Sequence, residues 1–310
     1  MTQAPLNDQS RTGIDPATIR GIFAMVIALF GFVVNDAFVK FLADEMPLGQ
    51  IIFMRGCFAT CGIAVLISVR REWPGPADYV DKSVLLRNIG EVGGTVFYLT
   101  ALTQLPLANA VAILQAMPFV ITAAAAILLR ESVGWRRWTA ILVGFFGVLL
   151  IVRPGTEGFN TYTVLAVIAV GFITLRDMAT RYVPKTIATL AITFSTTLAV
   201  TAMSLVMGLF EDWSLPELDH ILMTAAAALF LMLGYIFAIV AMREGEISVI
   251  APFRYTIVVW ALIIDFLVWS KTPTFLTVVG IAIIVASGLY IFFRERRVLG
   301  SVRPGMVGRH

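Results

Sequence analysis

Long apolar segments separated by short polar connections run along almost all of the 310 residues of this chain. A helix needs about 20 mainly apolar residues to cross the hydrocarbon core of a bilayer. Membrane strands are excluded because the apolar runs are too long and do not alternate with polar positions. The pattern therefore predicts an all-α membrane protein with ten transmembrane helices, called spans 1 to 10 below: 20–41, 48–69, 84–104, 107–129, 134–152, 161–182, 187–210, 219–241, 247–269 and 273–293.

Composition supports the same class of protein. Hydrophobic residues make up 59% of the chain and charged residues 14%, whereas soluble domains have about 45–50% apolar and about 25% charged residues. A water-soluble fold would have to expose much of this apolar excess, so a lipid bilayer is the expected surrounding. The net charge of +3 is small and the basic residues lie in short loops, which argues against nucleic acid as a partner.

The distribution of basic residues predicts the orientation in the membrane. Lys and Arg concentrate in cytoplasmic loops. If the N-terminus is inside, Arg153 and Lys271 are the only basic residues in the outer loops, so both termini are predicted to be cytoplasmic. Residues 1–19 lack the charged start and cleavage site of a signal peptide and are interpreted as a disordered cytoplasmic N-terminus. Residues 298–310 are interpreted as a C-terminal tail.

The two halves of the chain match each other at a nearly constant offset of 141 residues. The match predicts a first five-helix repeat at 20–153 and a second at 154–297. Because five is odd, the second repeat must enter the membrane upside down. Inverted repeats of this kind are typical of secondary transporters, whose site lies near the midplane between the repeats. The matching pairs include Asp36 with Asp177, Lys40 with Arg181, Gly93 with Gly234, and Gly147 with Gly288.

The first half contains a succession of motifs that resembles a known family. The sequence Ala-Asn-Ala at 108–110 opens span 4, Pro118 interrupts that span, and Glu131 follows it. The segments 135–140 and 144–150 then read WRRWTA and GFFGVLL. Over about 20–295 the chain resembles the EamA-type members of the drug/metabolite transporter superfamily, and as a whole it is most similar to bacterial exporters of aromatic amino acids.

The second half departs from this pattern, because Lys271 stands near the position where a Glu is expected. That acidic position therefore has no role common to both halves. The resemblance implies a secondary transporter that exports small amphipathic metabolites, amino acids with aromatic ones favoured, across the bacterial inner membrane by alternating access. Its partners would be a small-molecule substrate and the bilayer, with protons considered as a coupling ion. The expected oligomeric state is a monomer or a weak dimer.

Two alternatives stay open at this point. One is multidrug efflux of cationic or lipophilic compounds, and the other is a membrane-embedded receptor or lipid enzyme. An enzyme is not predicted, because no nucleophile, base or metal set can be assembled within the spans. No cofactor or metal is predicted either, since the sequence lacks a His/Cys/carboxylate cluster suited to zinc and a phosphate-binding glycine loop followed by Lys.

Charged side chains within spans mark the candidate pathway, because each costs about 2.5–3.5 kcal/mol at a helix centre unless it faces a cavity or a partner. Local pairing four residues apart is one interpretation for Asp36 with Lys40 and for Asp177 with Arg181. Lys40 also lies near a span end, where a long stem can reach water. The alternative is a pair of gates at opposite mouths of one pathway. The candidate gating or charge-pair residues are Asp36, Lys40, Arg55, Asp177 and Arg181.

Arg254 is predicted to hold the substrate. It lies in span 9 close to Pro252, and a guanidinium offers a planar fork that fits a carboxylate. The structural alternative is a buried ion pair with Glu91 or Asp177. Other polar and aromatic side chains are candidates for lining the substrate pathway: Tyr98, Gln115, Tyr235, Tyr255, Trp260 and Glu91.

Proline and glycine add two expectations about the backbone. Pro118 in span 4 and Pro252 in span 9 are predicted to interrupt the hydrogen-bond ladders of corresponding helices, which is tolerated beside protein or a wet cavity. Gly90 and Gly94 form a GxxxG motif in span 3, for which close helix packing is the default interpretation.

Overall fold

The computed structural model describes residues 16–301 except 72, 74, 76–78, 129–134, 154–159, 181, 185 and 244–249. Within these residues all regular secondary structure is helical, without a strand, and all ten predicted spans form. The predicted fold class is therefore confirmed. The helices of spans 1 to 10 are Pro16–Leu42, Leu48–Arg70, Lys82–Gln104, Leu107–Leu114 with Met117–Leu128, Trp135–Val152, Thr161–Thr180, Thr189–Gly208, Leu218–Arg243, Ala251–Tyr255 with Thr256–Trp269, and Phe275–Ser301.

The spans are not equally apolar. Seven described helices are long and apolar enough to cross a membrane, and spans 5 and 10 contribute shorter apolar helices. Span 3 is more polar because it includes Arg87, Asn88 and Glu91. A span that retains such side chains must bury them against protein rather than lipid.

Two predicted boundaries are wrong by a few residues. Span 1 begins at Pro16, so residues 16–19 are helical rather than part of a disordered lead-in. Proline is suited to this place because the first turn of a helix needs no amide donor there. The helix of span 10 continues to Ser301, past the predicted start of the tail at 298.

The predicted interruptions of spans 4 and 9 are confirmed. Span 4 breaks at Gln115 and Ala116, where amides bond three residues back, and Pro118 is the second residue of the helix that follows. Span 9 starts as a 3-10 helix that contains Pro252 and becomes α-helical at Thr256. Both breaks lie early in the fourth helix of their repeat.

Helix packing follows the symmetry of the inverted repeat. Span 1 packs most extensively against span 8, and its repeat counterpart, span 6, packs most extensively against span 3. Span 5 packs against its own counterpart, span 10, and span 2 against span 7. The two halves therefore interlock through equivalent pairs.

Glycines permit the closest of these crossings. A Cβ on Gly31 would lie 2.8 Å from the carbonyl oxygen of Phe230, where span 1 crosses span 8. A Cβ on Gly90 would lie 2.6 Å from the backbone nitrogen of Arg176, where span 3 crosses span 6. The close packing predicted for Gly90 is confirmed, and larger residues at these positions would push the backbones apart.

Four described loops lie together at one end of the bundle, called here the predicted outer end: 43–47, 105–106, 209–217 and 270–274. The Glu45 carboxylate lies 2.8 Å from Nε2 of His220, and the amide of Gly49 donates to both carboxylate oxygens of Glu211, at 3.1 and 3.0 Å. The side chain of Gln50 bonds the backbone of Ser214. These contacts connect the two halves at this end.

The opposite end is connected by different groups. Asn88 of span 3 donates to the hydroxyl of Ser195 in span 7 at 2.7 Å, and Arg87 donates to Thr196. Span 3 itself is capped by Asp81, which accepts from the Ser83 hydroxyl and from the amides of Ser83 and Val84. These hydrogen bonds lower the pKa of the Asp81 carboxyl.

Candidate functional site

Asp36 lies in a hydrogen-bonded group that joins spans 1, 2 and 3, called here the Asp36 cluster: Asn35, Asp36, Arg55 and Tyr98. Asn35 donates to one carboxylate oxygen of Asp36 at 2.9 Å, and the Tyr98 hydroxyl donates to the other at 2.8 Å. Arg55 donates to the amide oxygen of Asn35 at 3.2 Å. Asn35 therefore bridges an arginine and a carboxylate.

This cluster is withdrawn from the surface. Asn35 is 2% exposed, and Arg55 and Tyr98 are each 7% exposed. Arg55 also attracts Asp36 electrostatically. Arg55, a candidate charge-pair residue, thus reaches Asp36 through Asn35 rather than by a direct ion pair. A buried charge is tolerable only when it is paired or hydrogen-bonded, and each charge in this cluster meets that condition.

A second charged group joins spans 3 and 6, called here the Arg176 cluster: Glu91, Arg176 and Asp177. The Arg176 guanidinium lies 3.2 Å from the Glu91 carboxylate and 2.7 Å from that of Asp177. Glu91, a candidate pathway residue, pairs with Arg176 across the helix crossing at Gly90. Arginine suits this place because its fork can serve two carboxylates.

Tyr235 of span 8 is within electrostatic range of both clusters. It interacts with Glu91 and Arg176 of one cluster and with Arg55 of the other. Arg55 and Glu91 also attract each other. The two clusters and Tyr235 are together called here the polar network, whose two parts are linked by electrostatic interaction rather than by a described hydrogen bond. The network includes the predicted pathway residues Asp36, Arg55, Glu91, Tyr98, Asp177 and Tyr235.

Two pairs of aromatic rings involve Tyr235 and Trp260, both of which are predicted pathway residues. The ring of Phe32 meets that of Tyr235 with centroids 5.4 Å apart, and Phe30 meets Trp260 at 5.0 Å. The indole nitrogen of Trp260 is buried without a hydrogen-bond partner among the described residues. The Phe32 ring therefore lies against Tyr235, which interacts electrostatically with both clusters.

The predicted pairing of Lys40 with Asp36 is wrong, as is the expectation that Lys40 reaches water. Lys40 is 5% exposed and donates to the carbonyl oxygens of Leu102 and Leu105 at 2.8 and 2.6 Å. These carbonyls lie at the end of span 3, where the helix leaves acceptors unpaired and favours a cation. The carboxylate of Asp36 instead accepts hydrogen bonds from Asn35 and Tyr98.

Asp265 caps the start of span 4, as Lys40 caps the end of span 3. Its two carboxylate oxygens accept from the amides of Leu107 and Ala108, at 3.0 and 2.7 Å, at the start of span 4. The connection between spans 3 and 4 is therefore held by a cation from span 1 and an anion from span 9. Asp265 was not among the candidate residues identified from the sequence. A capping carboxylate from a distant span leaves no local sequence signal.

Arg254 lies apart from both clusters. It belongs to the 3-10 helix ahead of the α-helical part of span 9, and its side chain is exposed. The alternative ion pair with Glu91 or Asp177 is wrong, because Arg176 occupies that place. Tyr255 packs its hydroxyl against Gly288 of span 10. Gln115 lies at the break in span 4, and Arg181 falls outside the described residues.

Comparison with known proteins places this architecture in a family. The model of the EamA-like transporter family matches residues 19–153 and again residues 160–293. The two matched segments agree with the two repeats deduced from the offset of 141 residues. One solved crystal structure superposes over 92% of this chain and 99% of its own with a TM-score of 0.60 at 17% identity, which shows the fold alone.

Three curated relatives transport different small molecules. The S-adenosylmethionine uptake transporter of Rickettsia prowazekii is 24% identical over 96% of this chain and 98% of its own. The pseudopaline exporter of Pseudomonas aeruginosa is 25% identical over 86% and 94%. The riboflavin transporter of Vibrio cholerae is 28% identical over 67% and 70%. These relatives do not single out aromatic amino acids. This chain is a small-molecule transporter rather than an enzyme, and it belongs to the EamA-like transporter family.

Proposed function

We propose that this transporter carries small amphipathic zwitterions, amino acids with aromatic ones favoured, and exports them across the bacterial inner membrane by alternating access. The observation that supports it best is the presence of two charge clusters within the spans, each of which contains a cation and an anion. A zwitterion requires both a cation and an anion in its path, and the network supplies Arg55 with Asp36 at one place and Arg176 with Glu91 at another.

The chemistry of an amino acid fits these groups. Its carboxylate would be received by the guanidinium of Arg55, which is already held in place by Asn35. Its ammonium would be received by Asp36 or Glu91. The apolar side chain would lie against the rings of Phe32, Tyr235 and Trp260, where aromatic faces pack well against one another.

The relatives support a solute of this class and leave its direction open. S-adenosylmethionine, by its name, couples methionine to an adenosyl group, so one relative handles an amino-acid derivative with an aromatic base. One relative is named for uptake and another for export. Export is therefore a proposal for this chain, as are proton coupling, cytoplasmic termini and a monomeric or weakly dimeric state.

Arg254 has a separate place in the proposal. Its exposed guanidinium near the start of span 9 would receive a carboxylate as the solute enters, with Tyr255 beside it. Gln115, at the break in span 4, would offer a neutral polar contact. These assignments rest on position and residue chemistry.

Efflux of cationic compounds is the second candidate function. In the Arg176 cluster, two carboxylates face one guanidinium, which leaves a formal excess of negative charge. A lipophilic cation would be attracted to that excess and to the aromatic rings nearby. Such a compound needs no contact with Arg55, so the two candidates differ in their dependence on that residue.

Flux through the purified protein in liposomes tests the proposal. A panel of L-amino acids is loaded on one side, and transport is measured in both directions for the wild type, Arg55→Lys and Ser68→Ala. Ser68 is an exposed residue of the same span and serves as the matched control. The expected result is flux of aromatic amino acids that falls in Arg55→Lys and is unchanged in Ser68→Ala. Transport of cationic dyes but of no amino acid would overturn the proposal.

A further inference from the structure

A small pocket lies at the predicted outer end, and none of the residues that line it belongs to either charge cluster. It has a volume of about 200 Å³ and is bounded by the start of span 4, the end of span 9 and the start of span 10. Its lining combines apolar surface with a smaller polar part, and the polar side chains are Asn109, Asp265, Lys271, Thr272, Thr274 and Thr277. A pocket of this size is smaller than the usual site for a drug-sized ligand and suits a small solute.

One wall of the pocket contains a carboxylate that caps the start of span 4. Asp265 is 3% exposed and accepts from the amides of Leu107 and Ala108 at the start of span 4. On the far side of the same connection, Lys40 holds the last carbonyls of span 3. The pocket therefore adjoins the point where spans 3 and 4 are fixed to spans 1 and 9.

The opposite wall supplies the complementary charge. Lys271 is exposed on the loop between spans 9 and 10 and interacts electrostatically with Asp265. A solute with a carboxylate and an ammonium group could contact Lys271 with the first and Asp265 with the second. Asn109 and the threonines add neutral donors and acceptors between the two charges.

We propose that this pocket is a transit site for the zwitterionic solute at the predicted outer end. The solute's ammonium competes with the amides of Leu107 and Ala108 for the carboxylate of Asp265. As Asp265 turns to the solute, the start of span 4 loses its cap and can move. Binding at this pocket is thereby coupled to the outer gate. The class of solute rests on the proposed function, whereas the site rests on the pocket and its contacts.

Cysteine protection tests the site. In a background without Cys57 and Cys61, Thr272→Cys is placed at the pocket, and Ser214→Cys is placed on another exposed loop at the same end as the matched control. The protein is studied in nanodiscs, which expose both faces and make the test independent of orientation. The rate of maleimide labelling is measured with and without L-phenylalanine. We expect slower labelling of Thr272→Cys and no change at Ser214→Cys.

Two further variants test the charges. Lys271→Gln removes an exposed side-chain charge and should weaken protection by about three- to fivefold, the range of a solvated charge contact. Asp265→Asn replaces one acceptor with a donor that faces a backbone amide, and protection should be lost. Full protection in both variants would overturn the assigned contacts.

Flux of L-phenylalanine, measured with the same preparation in liposomes, separates the two proposals. Transport without protection of Thr272→Cys would overturn the pocket and leave the proposed function standing. Protection without transport would support the pocket and overturn the proposed function for this solute. Equal protection at Thr272→Cys and Ser214→Cys would overturn the pocket as a specific site.

Discussion

Asp36 in the first half and Asp177 in the second occupy the same position of the repeat, but their carboxylates have different partners. Asp36 accepts from two neutral donors, Asn35 and Tyr98. Asp177 forms an ion pair at 2.7 Å with Arg176, the residue next to it in sequence. The difference originates at one position of the repeat, because Asn35 and Arg176 are themselves equivalent at the offset of 141 residues.

This comparison shows how the two conformational states of an inverted repeat can come to differ in free energy. If the halves were identical, the states open to either side would be related by a twofold rotation about an axis in the membrane plane and would have equal free energies. Replacing an asparagine by an arginine at one of two equivalent positions makes the two ends unequal. At the Asp36 cluster the cation, Arg55, comes from another span through a bridging amide. At the Arg176 cluster the cation is local and serves two acids.

Asp36→Asn is expected to cause the largest loss of transport. It removes the charge that Arg55 attracts while keeping the size of the side chain, and a hydrogen bond to a charged group contributes about 1.5–3 kcal/mol. Transport in liposomes should fall by about tenfold or more. Membrane insertion, measured by fluorescence-detected chromatography, should stay at the wild-type level. Normal transport by both Asp36→Asn and Asp177→Asn would refute the assignment of the two residues as gates.

Asp177→Asn is expected to have a smaller effect. Arg176 keeps its contact with Glu91, so the charge left behind remains paired, and both groups are partly exposed. Transport should fall by about fivefold, within the range of a partly screened ion pair. Glu91→Gln is the matched variant on the other side of Arg176. A greater loss in Asp177→Asn than in Asp36→Asn would reverse the proposed asymmetry.

Tyr98→Phe tests one neutral partner of Asp36. The change removes the hydroxyl that donates at 2.8 Å, and a typical hydrogen bond contributes about 0.5–1.5 kcal/mol. Transport should fall by about threefold, with Asn35 still donating to the carboxylate. Tyr162→Phe, on a ring in span 6 that lies outside both clusters, serves as the control. Equal effects of the two changes would mean that Tyr98 has no particular role.

Arg254→Lys is expected to have the smallest effect, since the side chain is exposed. Lysine keeps the charge but cannot form the two parallel hydrogen bonds of a guanidinium with a carboxylate. Apparent affinity for amino acids should fall by about twofold, and Arg254→Ala should lose more at matched protein levels. Unchanged affinity in the lysine variant would remove Arg254 from the substrate pathway.

The sequence was sufficient for the architecture because its signals are local or repeated. Apolar length predicted the spans, the offset predicted the inverted halves, and the cost of charge within lipid pointed to Asp36 and Asp177. Prolines marked the breaks in spans 4 and 9. Each of these signals depends on a residue type and its position along the chain.

The same reasoning could not identify hydrogen-bond partners that lie on different spans. Lys40 is four residues from Asp36, yet it bonds carbonyls of span 3. The caps formed by Asp265 and Glu211 involve backbone amides, which every residue has and no sequence pattern distinguishes. Asn35 was missed because it is uncharged, although its equivalence to Arg176 in the repeat would have pointed to it.

The contact between Gly49 and Glu211 is a place where one added methyl group would break a connection between the two halves at the predicted outer end. A Cβ at position 49 would lie 2.5 Å from a carboxylate oxygen of Glu211, so a single added methyl group displaces the carboxylate from the start of span 2. Gly49→Ala changes no charge and lies outside both charge clusters. Since about 1.4 kcal/mol shifts a two-state population tenfold, we expect Gly49→Ala to favour conformers in which Glu211 no longer contacts the start of span 2, and electron cryo-microscopy can detect them.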